Sequence, residues 1–179
     1  STGTSSMTAL TAETGGTTAV SVNSGDLTVA TSTEGADTLN YAVADAATLA
    51  LTNNSSATMI TLTNTATLTA GDTLDSNITV AGTGATVTLA GAQTGTITGS
   101  VGADSLTLDG AGAAGDISAI ETLTLAGSTA GAVTEATTIS SSGVSQLASV
   151  AGATTITSTG GTLTITGTSD AATGFVAAG

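Results

Sequence analysis

Five residue types that carry much of protein chemistry are missing from this sequence: it has no Lys, Arg, His, Cys or Trp, and no Pro either. With 13 carboxylates and no basic side chain the formal net charge is −13. Such a chain repels a phosphate backbone, which excludes ordinary nucleic-acid binding, and it is disfavoured at anionic membrane surfaces. Without His, Cys or Lys there is no Ser-His-Asp or Cys-His pair, no Schiff base, and no zinc, haem or iron–sulfur site of ordinary ligation. The lack of cysteine also excludes a disulfide-stapled scaffold. No apolar run approaches the roughly 18 residues of a membrane span, and no basic-flanked signal segment is visible. The expectation is therefore a soluble mature protein or fragment with no membrane insertion.

Thr, Ala, Gly and Ser make up most of what is present, at 43, 33, 24 and 20 residues of 179. The apolar share of 40% is nearly half alanine, so a core has to be thin and efficiently buried. Charged residues are only 7%, and the larger apolar ones are regularly spaced, which argues against disorder.

That spacing has period 2. Pairs such as Val20/Val22, Leu27/Val29, Leu39/Tyr41, Leu49/Leu51, Ile60/Leu62, Ile78/Val80, Val87/Leu89 and Leu106/Leu108 mark short strands. One marker per run from Val29 to Leu106 gives a mean step of about 9.6 residues. Corner formers fill the gaps, among them Asn23-Ser24-Gly25-Asp26, Asn53-Asn54-Ser55, Ala81-Gly82-Thr83-Gly84 and Gly110-Ala111-Gly112. The beat loosens over 110–116 and resumes at Ile117, Leu123/Leu125, Val133, Ile139, Ile156 and Leu163/Ile165.

The reading is all-β: a parallel β-solenoid, β-helix or β-roll-like, with a β-sandwich as the alternative. A sandwich wants large and aromatic side chains between its sheets, and this chain has one Phe and one Tyr. A solenoid needs only stacked Val, Ile and Leu, with Gly, Asn and Asp at its corners. Two strands per coil predict a repeat of about 19 residues and three predict about 29, and the spacing alone fits both. Residues 1–179 are expected to form one repeat-like domain with a candidate subdivision near 110–116. Helical character is confined to 42–50 and 144–150.

The acids gather at corners. Asp26, Asp72 and Asp116 directly follow Gly, and Asp37 and Asp104 follow Gly-Ala. Hard oxygen ligands at tight turns suit Ca²⁺, completed by backbone carbonyls and water, while the plainer role is Asx-turn formation and solubility. Asp104, Asp109, Asp116 and Glu121 form the densest group, around the loosened loop. No aromatic platform or basic residue accompanies these carboxylates, so the chain does not read as an enzyme. A second pattern is Thr-x-Thr, as in Thr61-Leu62-Thr63, Thr67-Leu68-Thr69, Thr86-Val87-Thr88, Thr96-Ile97-Thr98, Thr122-Leu123-Thr124, Thr155-Ile156-Thr157 and 162–166. On strands the apolar residue points inward and both threonines outward. Such ladders stabilise neighbouring strands or form a binding face, for ice among other surfaces, although the triplets are unevenly spaced along the chain.

The stretch Gly102-Ala103-Asp104-Ser105-Leu106-Thr107-Leu108-Asp109-Gly110, followed by 117–125, resembles bacterial surface-layer proteins and related calcium-binding exoproteins of the RTX kind. Gly35-Ala36-Asp37-Thr38-Leu39 resembles the same element. The resemblance implies a Thr-, Ala- and Gly-rich β-solenoid, exported and assembled on the cell surface with Ca²⁺, and it implies Asp37 and Asp104 as ligands. Here a single Gly, preceded by Glu34 or Val101, stands where RTX nonapeptides carry paired glycines. Asp26, Asp72, Asp109, Asp116 and Glu121 are further candidate ligands from their own placement.

The expected function is a structural extracellular protein that assembles with itself into a surface layer or filament, with a cell-surface glycan as a candidate partner. Solenoid ends need polar caps, and neither 1–16 nor 169–179 shows one, which favours stacking on a copy or on neighbouring sequence. The alternative is an adhesin stalk or ice-binding module that uses outward Thr ladders.

Overall fold

The computed structural model describes residues 3–12, 14–35, 37–100, 102–109, 113–136, 138–153, 155–170 and 175–178. The described chain is a β-solenoid in which every strand pairing is parallel, so the sandwich alternative falls. Ten strands stack into one sheet, here sheet I: Thr4–Met7, Asp26–Val29, Thr48–Leu51, Thr67–Ala70, Thr86–Leu89, Ser105–Asp109, Thr122–Ala126, Thr138–Ser142, Thr155–Thr159 and Phe175–Ala178. At about 4.8 Å per strand they make a rod about 43 Å long. Sheet II faces it, running from Thr17–Val22 through Thr38–Val43, Ser55–Thr63 and Leu74–Ala81 to Ser145–Ala151 and Leu163–Ile165. A short third side appears separately in the first coils, where Leu10–Thr11 pairs Ser32–Thr33. Each coil thus has two principal strands, which selects the shorter of the two repeats.

Coil length is not constant, yet register is. Asp26 lies over Thr48, a step of 22 residues; Thr48 over Thr67 and Thr67 over Thr86 are steps of 19; Thr122 over Thr138 is a step of 16. The corners absorb the difference. In the 22-residue coil, residues 34–37 lie between the short side and sheet II, whereas in the 16-residue coil the strand Thr129–Thr134 runs straight through that place.

Inward side chains form continuous columns. On sheet I, Leu49, Leu68, Val87, Leu106, Leu123, Ile139 and Ile156 follow one another in register, and on sheet II so do Tyr41, Ile60, Ile78, Ile97, Ile117, Val133 and Val150. All are at most 1% exposed. Side chains of one class stacked at strand spacing fill the coil without large aromatics, which is how a chain so poor in large residues obtains a closed core. In the later coils the second sheet I column changes from Leu125 to Ser141 and Ser158, both buried.

No helix occurs among the described residues. Residues 42–50 instead end one strand at Val43, turn, and begin the next at Thr48, with Ala46 at φ 58° breaking any helical path. The other stretch of helical composition is the strand Ser145–Ala151. In both places, pairing with the adjacent coil outweighs weak local propensity. The ladder of sheet I continues from Ser105–Asp109 to Thr122–Ala126, on either side of 110–116.

Candidate functional site

The acids act as acceptors between coils. Glu34, Asp37, Asp45, Asp75, Asp104, Asp116 and Glu121 each take a hydrogen bond from a residue 16 to 24 positions away, that is, from an adjacent coil. The donors are backbone N–H groups and threonine hydroxyls at corners, which the parallel ladders leave unpaired. Asp45 Oδ1 accepts both the N–H of Thr65, at 3.1 Å, and its hydroxyl, at 2.6 Å. These bonds, the Thr65 hydroxyl's being the strongest, hold the Asp45 carboxyl below its usual pKa of 3.8.

Asp104 is the most engaged of them. It is 0% exposed and occupies the place just before a sheet I strand that Ala47, Ala66 and Ala85 fill in the three preceding coils. Two of those alanines close a turn within their own coil: Ala47 N–H donates to the Ala44 carbonyl at 3.1 Å and Ala66 N–H to that of Thr63 at 3.2 Å. The N–H of Ala85 instead crosses to Asp104 Oδ1 at 3.0 Å, joined by that of Gly84 at 3.0 Å. Asp104 Oδ2 accepts the N–H of Ser100 at 2.9 Å and its hydroxyl at 3.2 Å. The backbone N–H of Asp104 donates in turn to Glu121 Oε2 at 3.0 Å, so these two acids bind three successive coils together.

The other predicted ligands are dispersed. Asp37 Oδ1 accepts the N–H of Gly15 at 2.7 Å, and Asp116 Oδ1 that of Ala132 at 2.8 Å. Asp72 Oδ1 accepts the N–H of Thr73 at 2.8 Å. Asp26 and Asp109 are exposed on sheet I strands, and Asp72 and Asp116 are exposed at corners. Residues 110–112 of the acidic loop, and Ala36 beside Asp37, lie outside the described residues. Among the described residues no three acids converge as a metal-ion cluster. The sequence shows the acids at corners but not their donors, since the partner sits a variable coil length away.

The Thr-x-Thr triplets do point their apolar residue inward: Leu62, Leu68, Val87, Ile97, Leu123 and Ile156 are buried while their flanking threonines reach solvent. On sheet I they align as two outward columns, one running from Thr48 to Thr155 and the other from Ala50 to Thr157, seven coils each. Eleven of these 14 positions are Thr, two are Ser and one is Ala, with no charged residue among them. Concave features are shallow; a depression of about 200 Å³ beside Ser5, Ser21 and Asp26 and another of about 290 Å³ beside Ser32, Asn54 and Ser56 are lined mainly by hydroxyl and amide groups. Compared with protein-family models, with curated proteins and with solved structures, the chain has no match.

Proposed function

We propose that this chain is a structural rod, a module of an extracellular surface layer or filament in which copies associate with one another and divalent cations, Ca²⁺ foremost, neutralise their charge. The observation that carries this reading is the way successive coils are joined. Two long parallel ladders and at least seven acidic cross-links run through a body whose chemistry-bearing side chains are spent on holding coils together. Such a body suits bearing load and presenting surface rather than turnover.

Charge sets the condition for association. Two rods of net charge −13 repel each other, and no Lys or Arg exists to relieve that. The exposed carboxylates Asp26, Asp72, Asp109 and Asp116 are where a cation from solution, with water and carbonyl oxygens completing its shell, bridges copies. Light scattering with negative-stain microscopy, titrating Ca²⁺ in and chelating it out, tests the proposal. Ordered sheets or filaments that form with calcium and dissolve with chelator are expected. Assemblies indifferent to calcium overturn the cation role, and a monomer under every condition overturns self-assembly.

A further inference from the structure

The outward columns of sheet I differ from every other hydroxyl-bearing surface of the rod in two respects. At the corners, threonine hydroxyls are consumed: those of Thr58, Thr65 and Thr94 donate to Glu34, Asp45 and Asp75. In the sheet I columns, none of the hydroxyls has a protein partner among the described residues, so each is left to water. The second respect is charge. A molecule of net charge −13 keeps both columns free of acids over seven coils.

The columns are also regular in space. The triplets are unevenly separated along the chain, but the corners take up the difference and the pairings place Thr67, Thr86, Ser105 and Thr122 directly over one another, with Thr69, Thr88, Thr107 and Thr124 beside them. Strand geometry then sets a grid of about 4.8 Å between coils and about 6.7 Å between columns. Those two repeats are close to the oxygen spacings of hexagonal ice along its two principal axes. A hydroxyl on such a grid hydrogen-bonds water at fixed points, while the neighbouring methyl restricts the water around it.

We propose that sheet I is an ice-binding face, its ligand being an uncharged lattice of hydrogen-bonding oxygens. The absence of charge matters because an ionised group orients water around itself and breaks the lattice. Without aromatic residues, the face has no stacking platform for sugar rings. The inference is independent of self-assembly, since a lone rod already presents the complete face.

Thermal hysteresis and inhibition of ice recrystallisation, measured on the full chain, test it. The unaltered protein is expected to hold a seed crystal without growth over a measurable temperature gap and to facet it. Thr88→Tyr with Thr107→Tyr, at the centre of the face, is expected to abolish most of that gap. Thr79→Tyr with Thr98→Tyr, outward on sheet II, is expected to preserve it, with far-UV circular dichroism checking that each variant is folded. If the tyrosines unfold the chain, Thr88→Ser with Thr107→Ser replaces them and is expected to lose part of the activity by removing the methyls alone. No hysteresis in the unaltered protein, full activity in folded sheet I variants, or equal loss on sheet II would each overturn the proposal.

Discussion

Replacing Asp104 by alanine isolates what a buried acidic cross-link does. The substitution introduces no steric problem, because alanine already fills the equivalent place at 47, 66 and 85. What changes is that the N–H groups of Gly84, Ala85 and Ser100 lose their acceptor. Ala85 is buried, so its N–H goes unpaired at about 1–3 kcal/mol. Gly84 and Ser100 are partly exposed, so water replaces the carboxylate at perhaps half that penalty each. The sum is about 3–4 kcal/mol, a large share of the roughly 5–15 kcal/mol that holds a domain together. For a chain of this length it corresponds to a fall in midpoint of about 6–15 °C.

Thermal and urea unfolding followed by far-UV circular dichroism read this directly, with Asp116→Ala as the comparison. Asp116 is exposed and accepts one N–H, so its loss is expected to cost under about 1 kcal/mol. Both variants are measured with Ca²⁺ and with chelator. Equal effects of Asp104→Ala and Asp116→Ala would refute the argument from unpaired donors. A penalty at Asp104 that disappears once calcium is chelated would refute it differently, by showing that the carboxylate acts through an ion and not through N–H groups.

Three further predictions concern backbone and titration. Gly99→Ala would set a Cβ 1.8 Å from the Ala119 carbonyl oxygen of the next coil, so it is expected to destabilise by about 2 kcal/mol or more in urea unfolding; a change under about 0.5 kcal/mol would contradict the coil spacing. Glu135 has φ 60° at an exposed corner where the next coil carries Gly152 at φ 77°, so Glu135→Gly is expected to stabilise by up to about 1 kcal/mol, relief of left-handed strain exceeding glycine's added chain entropy. Burial pushes the Tyr41 phenol above its usual pKa of 10.0, the Ser32 hydroxyl opposing in part. The unfolded chain therefore ionises first, and stability is expected to hold below pH 10 and fall above it by up to about 1.4 kcal/mol per pH unit. Tyr41→Phe is expected to flatten that alkaline limb, and an unchanged limb would exclude Tyr41 as its source.

Much of the fold is legible in the order of residues because its main determinant is local. Period-2 pairs such as Leu106/Leu108 and corners such as 81–84 state where strands and turns fall. Coil length is less legible, because the short side written as Leu10–Thr11 and Ser32–Thr33 is too brief to register as a third strand run. The acids are visible at their corners, yet Asp104 gives no sign of its donors at Gly84 and Ala85, since that relation is set by the length of the intervening coil. The same cause conceals the threonine grid: triplets separated irregularly along the chain become evenly placed only once corners of different length have closed.

Constant register combined with variable coil length makes the rod a ruler graduated in space and not in sequence. A residue gained or lost at a corner moves no side chain from one face to the other, and a whole turn, such as the 19 residues between Thr67 and Thr86, is a removable unit whose flanking strands can pair directly. Rod length can then change by whole strand spacings under ordinary insertion and deletion, with the pattern on each face left intact. Reach, and the number of repeats a surface offers, become quantities that evolution or an engineer can set by counting turns.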